Sequence, residues 1–161
     1  MKLTTAAKVL ITIVAVLFAA VLALGVGGWI WWKRNAGDLL EAGKEAIVLG
    51  RESGATMEES GCVARALEMH KADPDLSILS SVRNGLWLTG CLETSRVERD
   101  FCAHVPSQDE TIARGLWAGS ACARQGLSDP YCPTLLQNVA KYCSSPARSE
   151  KSLTHASNRA G

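Results

Sequence analysis

Residues Val9 to Trp32 form an unbroken run, VLITIVAVLFAAVLALGVGGWIWW, without one charged side chain, and all six cysteines lie behind it, between Cys62 and Cys143. That division constrains topology and compartment before any other feature is read. As a helix rising about 1.5 Å per residue, the run is about 36 Å long, enough to cross a hydrocarbon core of ~30 Å with some tilt. Trp29, Trp31 and Trp32 then stand at one membrane interface, where amphipathic rings are favoured, and Lys33 and Arg34 follow at once. The competing reading is a cleaved signal peptide, with Lys2 and Lys8 as its basic start and Val21-Leu22-Ala23 as a cutting site. Cleavage there leaves a mature chain that begins with nine apolar or glycine residues. An uncleaved signal anchor behind a short segment, residues 1–8, is the expectation.

Charge alone does not orient the span. Lys2, Lys8 and the amino terminus on one flank face Lys33, Arg34 and Lys44 on the other, nearly a tie. The cysteines break it, because six of them in one small polar domain belong to an oxidising compartment. The expected topology places the amino terminus in the cytoplasm and the cysteine domain on the periplasmic or extracellular side. One face of the span carries Ala15, Ala19, Ala23 and Gly27 at intervals of four. Small residues so spaced let two membrane helices approach closely, which offers a route to a homo-oligomer.

Beyond the span, residues 33–54 alternate Leu39, Leu40, Ile47, Val48 and Leu49 with Asp38, Glu41, Lys44 and Glu45 in a helical period. Gly43 and Gly50 weaken that helix by about 1 kcal/mol each relative to alanine. A helical stalk is expected here. Residues 55–143 then form a domain near the size where one core is only marginally sufficient, a situation that cross-links relieve. Four start signals punctuate it: Thr56-Met57-Glu58-Glu59 and Ser107-Gln108-Asp109-Glu110 as capping boxes, Asp73-Pro74 and Asp129-Pro130 as cap-plus-proline devices. They predict helices near 57–71, 75–92, 108–125 and 130–143. Leu76, Leu79, Val82 and Leu86 make one apolar stripe, Ile112, Leu116 and Trp117 a second, Leu136, Val139 and Cys143 a third. No segment alternates convincingly as a strand. The fold class is all-α: a transmembrane helix and stalk, then a disulfide-stapled domain of about four helices. Residues 144–161 contain one leucine and no aromatic residue, and are expected to be a disordered tail.

A shift of 30 residues superposes Gly85-Leu86-Trp87 on Gly115-Leu116-Trp117, Phe101-Cys102 on Tyr131-Cys132, and Val82 on Ile112. Cys91 follows its tryptophan by four residues and Cys122 by five, and one residue turns a helix by about 100°. Six cysteines, Cys62, Cys91, Cys102, Cys122, Cys132 and Cys143, allow 15 pairings. Cys132 and Cys143 on one helix would stand about 16 Å apart, beyond the ~7 Å limit of a bridge. Equivalent pairing within the repeat gives Cys91–Cys102, Cys122–Cys132 and a closing Cys62–Cys143.

Catalytic motifs are absent from the sequence: it has no nucleophile elbow, His-Glu-x-x-His or phosphate-cradling loop. No cofactor, metal or catalytic residue is assigned. Cys102-Ala103-His104 with Cys91 lacks the paired spacing of structural zinc sites. Glu58-Glu59 and Asp109-Glu110 sit in first helical turns, where acids are expected anyway, and His70 sits at a helix end. His155 falls in the tail. Trp87 and Trp117 read as core residues before they read as a ligand groove. Behind the span 15 basic side chains balance 16 acidic ones, which disfavours nucleic acid as a partner. The expected partners are the membrane and a protein met by the domain outside the cytosol, without enzymatic activity. A structural subunit acting through its transmembrane helix, and a small-ligand carrier or enzyme, are the alternatives.

Overall fold

The computed structural model describes residues 5–74 and 76–160, leaving outside that description the side chains of residues 5–12, 31, 32, 34–36, 38 and 155–160. Six α-helices occur among the described residues: α1 Thr5–Gly54, α2 Glu59–Ala72, α3 Ile78–Thr94, α4 Thr111–Arg124, α5 Cys132–Cys143 and α6 Pro146–Ala160. No strand is present among them beyond an isolated bridge, Glu58 to Arg96. The all-α expectation holds. Two compact units divide the chain, Met1–Glu41 and Ala42–Gly161.

The first unit is helical and contains Ile13–Ile30, with a mean hydropathy of 2.5 and no buried residue. It is the one helix, among the described residues, long and apolar enough to cross a membrane. The unit boundary corrects the stalk. From Ala42 onward α1 belongs to the folded domain, where Ala46 is buried in the core. The glycines that weaken an isolated helix explain why. A Cβ added at Gly50 would collide with the carbonyl oxygen of Trp87, one at Gly54 with that of Cys91, and one at Gly90 with that of Ile47. The backbones of α1 and α3 therefore touch through Gly50, Gly54 and Gly90, and Thr94 donates from its hydroxyl to the Arg51 carbonyl at 2.7 Å.

The pairwise contacts fix the helix directions. Gly43 lies against Leu86 and Gly54 against Cys91 and Thr94, so the end of α1 runs parallel to α3. Gly85 lies against Asn138, while Lys151 joins Leu92 to Tyr142, which makes α5 parallel to α3 as well. Cys62 is bonded to Cys91 and the Glu58–Arg96 bridge joins the start of α2 to the end of α3, so α2 is antiparallel. α4 and α5 form an antiparallel hairpin closed by Cys122–Cys132. Its turn ends α4 in a Schellman motif, with Leu127 N–H donating to the Cys122 carbonyl and Gly126 N–H to that of Ala123. Gly126 adopts φ +73°, the left-handed conformation that glycine enters without Cβ strain.

The core mixes aliphatic and aromatic residues with small and sulfur-bearing ones: Cys62 and Ala66 on α2, Trp87, Leu88, Cys91 and Leu92 on α3, Ala118 and Cys122 on α4, Leu135, Leu136, Val139 and Tyr142 on α5. Of the predicted stripes, only the third turns fully inward, through Leu136 and Val139. Leu76, Leu79 and Val82 are exposed, as are Ile112 and Leu116, while Leu86 and Trp117 are half-buried. The inward face of α3 is instead Ser81, Asn84, Gly85, Trp87, Leu88, Gly90, Cys91 and Leu92, where Gly85 and Gly90 admit the neighbouring helices closely.

Three start signals are also corrected. α2 begins at Glu59 without a side-chain cap, and Thr56 donates to the Ser53 carbonyl instead. α3 is capped by Ser77, whose hydroxyl accepts from Ser80 N–H at 3.2 Å, rather than by Asp73. α4 starts at Thr111, although Glu110 still accepts from Ser107 N–H at 3.1 Å. The fourth signal is displaced as well: α5 starts at Cys132 with Tyr131 at its N-cap and Pro133 in its first turn, while Asp129, just before, accepts from Tyr131 and Cys132 N–H at 2.9 and 3.0 Å.

The disulfides are Cys62–Cys91, Cys102–Cys143 and Cys122–Cys132, with Cα separations of 5.8, 5.5 and 6.1 Å. The pairing by repeat is correct only for the last. The one-residue offset after each tryptophan turns Cys91 toward α2 and Cys122 toward α5, so the two Gly-Leu-Trp segments do not do equivalent work. Cys102, in the loop that follows α3, is left to reach the end of α5.

Candidate functional site

The expected disordered tail is corrected too, since α6 returns to the domain through a buried polar cluster. Glu59 is fully buried, and Arg148 of α6 approaches it with Nε at 2.6 Å from Oε1 and Nη2 at 3.2 Å from Oε2. Glu59 also accepts from Tyr142 Oη at 2.8 Å and from Glu98 N–H at 2.8 Å. Arg148 Nη2 donates onward to the Glu98 carbonyl at 2.9 Å. Lys151 Nζ donates to the Leu92 carbonyl at 2.9 Å and to Tyr142 Oη at 3.1 Å. Burial first, then the Glu59 carboxylate, pushes the Tyr142 phenol above its ordinary range. Burial likewise lowers the Lys151 ammonium, with Glu59 opposing and Arg148 reinforcing that shift. Each charge is answered inside the protein, which is the condition for burying an ion pair at all. The cluster fastens α2, α5, α6 and the loop after α3 together.

A second polar contact lies at the opposite end of the domain. His70 is fully buried and places Nε2 at 3.0 Å from both oxygens of Asp129. Burial raises the Asp129 carboxyl, but His70 and the N–H groups of Cys132 and Tyr131 outweigh it and hold the group below its ordinary value. The predicted helix-end position of His70 is correct, and its acidic partner was not visible in the sequence.

Grooves rather than closed chambers mark the surface of the domain. One of about 620 Å³ is lined by Ala46, Leu49, Met69, Arg83, Asn84 and Trp87 among others. Another, of about 390 Å³, is lined by Val82, Leu86, Arg114, Asn138 and Lys141. A third, about 570 Å³, lies beside Lys151 between Arg96, Val97 and Ala147. Trp87 borders the first groove, while Trp117 packs half-buried on the core. Cys91 and Cys102 are bonded to different partners and offer no thiolate beside His104. Glu58 and Glu59 are separated in role: Glu59 is buried, while Glu58 is exposed and 3.8 Å from Arg96. Asp109 and Glu110 are exposed.

Of the residues of the candidate membrane span, Ala15, Ala19, Ala23 and Gly27 lie in the exposed part of α1, with Trp29 exposed beyond them and Lys33 after it. The side chains of Trp31, Trp32, Arg34 and His155 lie outside the described residues, as do residues 1–4. Comparison with protein-family models, curated proteins and solved structures returns no match.

Proposed function

We propose that the chain is a single-pass, non-enzymatic membrane protein that presents its stapled domain to a protein partner outside the cytosol. The observation that carries this reading is the outward face of α4. Ile112 and Leu116, one turn apart, are 81 and 70 % exposed. A Cβ added at Gly115 or Gly119 would meet nothing within 4 Å, so a partner helix has open access to the α4 backbone. Large exposed apolar side chains on a domain that has already closed its core mark an interaction surface. The three disulfides support an oxidising compartment, and the hydropathy of Ile13–Ile30 supports the anchor.

A photoreactive residue at position 116 of the full chain, irradiated in native membranes, tests the reading. The expected result is one recurrent protein adduct, abolished by Ile112→Asp while the unfolding temperature stays unchanged. Absence of any protein adduct at 116 refutes it.

A further inference from the structure

A different apolar surface lies at the end of the domain where the chain enters. Because α1 from Gly43 to Gly54 runs parallel to α3, the start of α3 stands at the same end as Ala42. Leu86 packs on Gly43, and α3 begins eight residues earlier at Ile78. Its first turns therefore project about 12 Å past the level of Gly43. They carry Ile78, Leu79 and Val82, exposed by 71, 61 and 52 %, with Leu76 exposed just before them. Lys71 and Arg83, both exposed, flank the group. Glu45 and Asp73 line the neighbouring groove alongside Arg83, so charge at this end is close to balance.

We infer that this end of the domain rests on the lipid surface, with Ile78, Leu79 and Val82 entering the headgroup layer as a second, shallow membrane contact. The inference rests on the anchored reading above. The connection selects lipid over other occupants. Residues 31 to 41 join the apolar window ending at Ile30 to the domain starting at Ala42, about 18 Å as helix, the form the backbone takes there. Whatever the disposition of the two units, so short a tether keeps the entry end close to a bilayer, whose headgroup layer itself occupies roughly 6 Å. Large aliphatic side chains held at that distance gain by leaving water for the acyl boundary, and flanking Lys and Arg suit the headgroups. Near-balanced charge makes the contact apolar in origin, hence weakly dependent on anionic lipid.

The test uses the full chain in vesicles of phosphatidylcholine, with and without phosphatidylglycerol. A diazirine amino acid is placed singly at Leu24 in the span, at Leu79, or at Ile112 on the opposite end of the domain, and adducts are identified by mass. The expected result is a lipid adduct at 24 and at 79, with the yield at 79 at least fivefold above that at 112 and changed less than twofold by phosphatidylglycerol. Equal lipid yields at 79 and 112, or an adduct at 79 to a second copy of the chain, overturn the inference while a lipid adduct at 24 leaves the anchor standing. No lipid adduct at 24 overturns both.

Discussion

Replacing Gly50 by alanine tests the account of why α1 belongs to the domain. On helix propensity alone the change stabilises by about 1 kcal/mol. The structure reverses that sign. The added methyl carbon would collide with the Trp87 carbonyl oxygen and lie 3.0 Å from Cys91 N and from Trp87 C. All three are backbone atoms of α3, so no rotamer change relieves the clash, and α1 must move outward by roughly an ångström along a contact shared with Gly54 and Gly90. Overpacking of this kind costs about 1–3 kcal/mol and occasionally more. With lost burial of Ala46 and Trp87 added, the net expectation is a destabilisation of about 2–4 kcal/mol after the propensity gain. For a unit of this size that lowers the midpoint by on the order of 10 °C. Near-UV circular dichroism of the non-reduced full chain in micelles follows the domain, since the span adds its own helical signal in the far-UV. Gly119→Ala is the matched control, because its Cβ meets nothing within 4 Å. That variant should gain about 0.5–1 kcal/mol. A Gly50→Ala protein that melts at or above the parent refutes the backbone contact.

Three further outcomes follow from the packing. Non-reducing peptide mapping should recover 62–91, 102–143 and 122–132; by loop length alone, removing the 41-residue link should cost about 4 kcal/mol and the 10-residue link about 3. Arg148→Met should destabilise by about 3–5 kcal/mol in chemical denaturation by stranding the Glu59 charge, and the double variant Glu59→Gln with Arg148→Met should recover most of that loss. Stability measured against pH should fall at both extremes. Asp129 has a folded value below its unfolded ~3.9, so its contribution is present above that pH and lost as acid protonates it. Tyr142 has a folded value above its unfolded ~10, so its contribution is complete below pH 10 and declines as pH rises further. Tyr142→Phe should reduce the alkaline decline, which Lys151, lowered by burial, partly offsets, and Asp129→Asn should reduce the acidic one.

What the sequence made legible was whatever depends on local chemistry. The candidate membrane helix follows from uninterrupted hydropathy, and the helices between Glu59 and Cys143 follow from their periodicity. Long-range geometry was not legible, for a consistent reason. Glycine was read as a cost to helices, which is correct for a solitary helix, yet Gly50, Gly54 and Gly90 are the residues that let α1 and α3 meet. The apolar stripes mark helices without showing which face turns inward: Leu79, Val82, Ile112 and Leu116 point outward, while Trp87, Leu88, Leu92, Leu135 and Leu136 fill the core beside cysteine and alanine. The tail was read as disordered because it lacks apolar residues, yet it is held by a guanidinium–carboxylate pair 89 positions apart in sequence. Three cross-links and close backbone contacts act beside a core that already holds Trp87, Leu88, Leu92, Leu135 and Leu136, and the large side chains outside that core are free to serve the surface. The apolar residues at both ends of the domain are therefore the best place to look for what it touches.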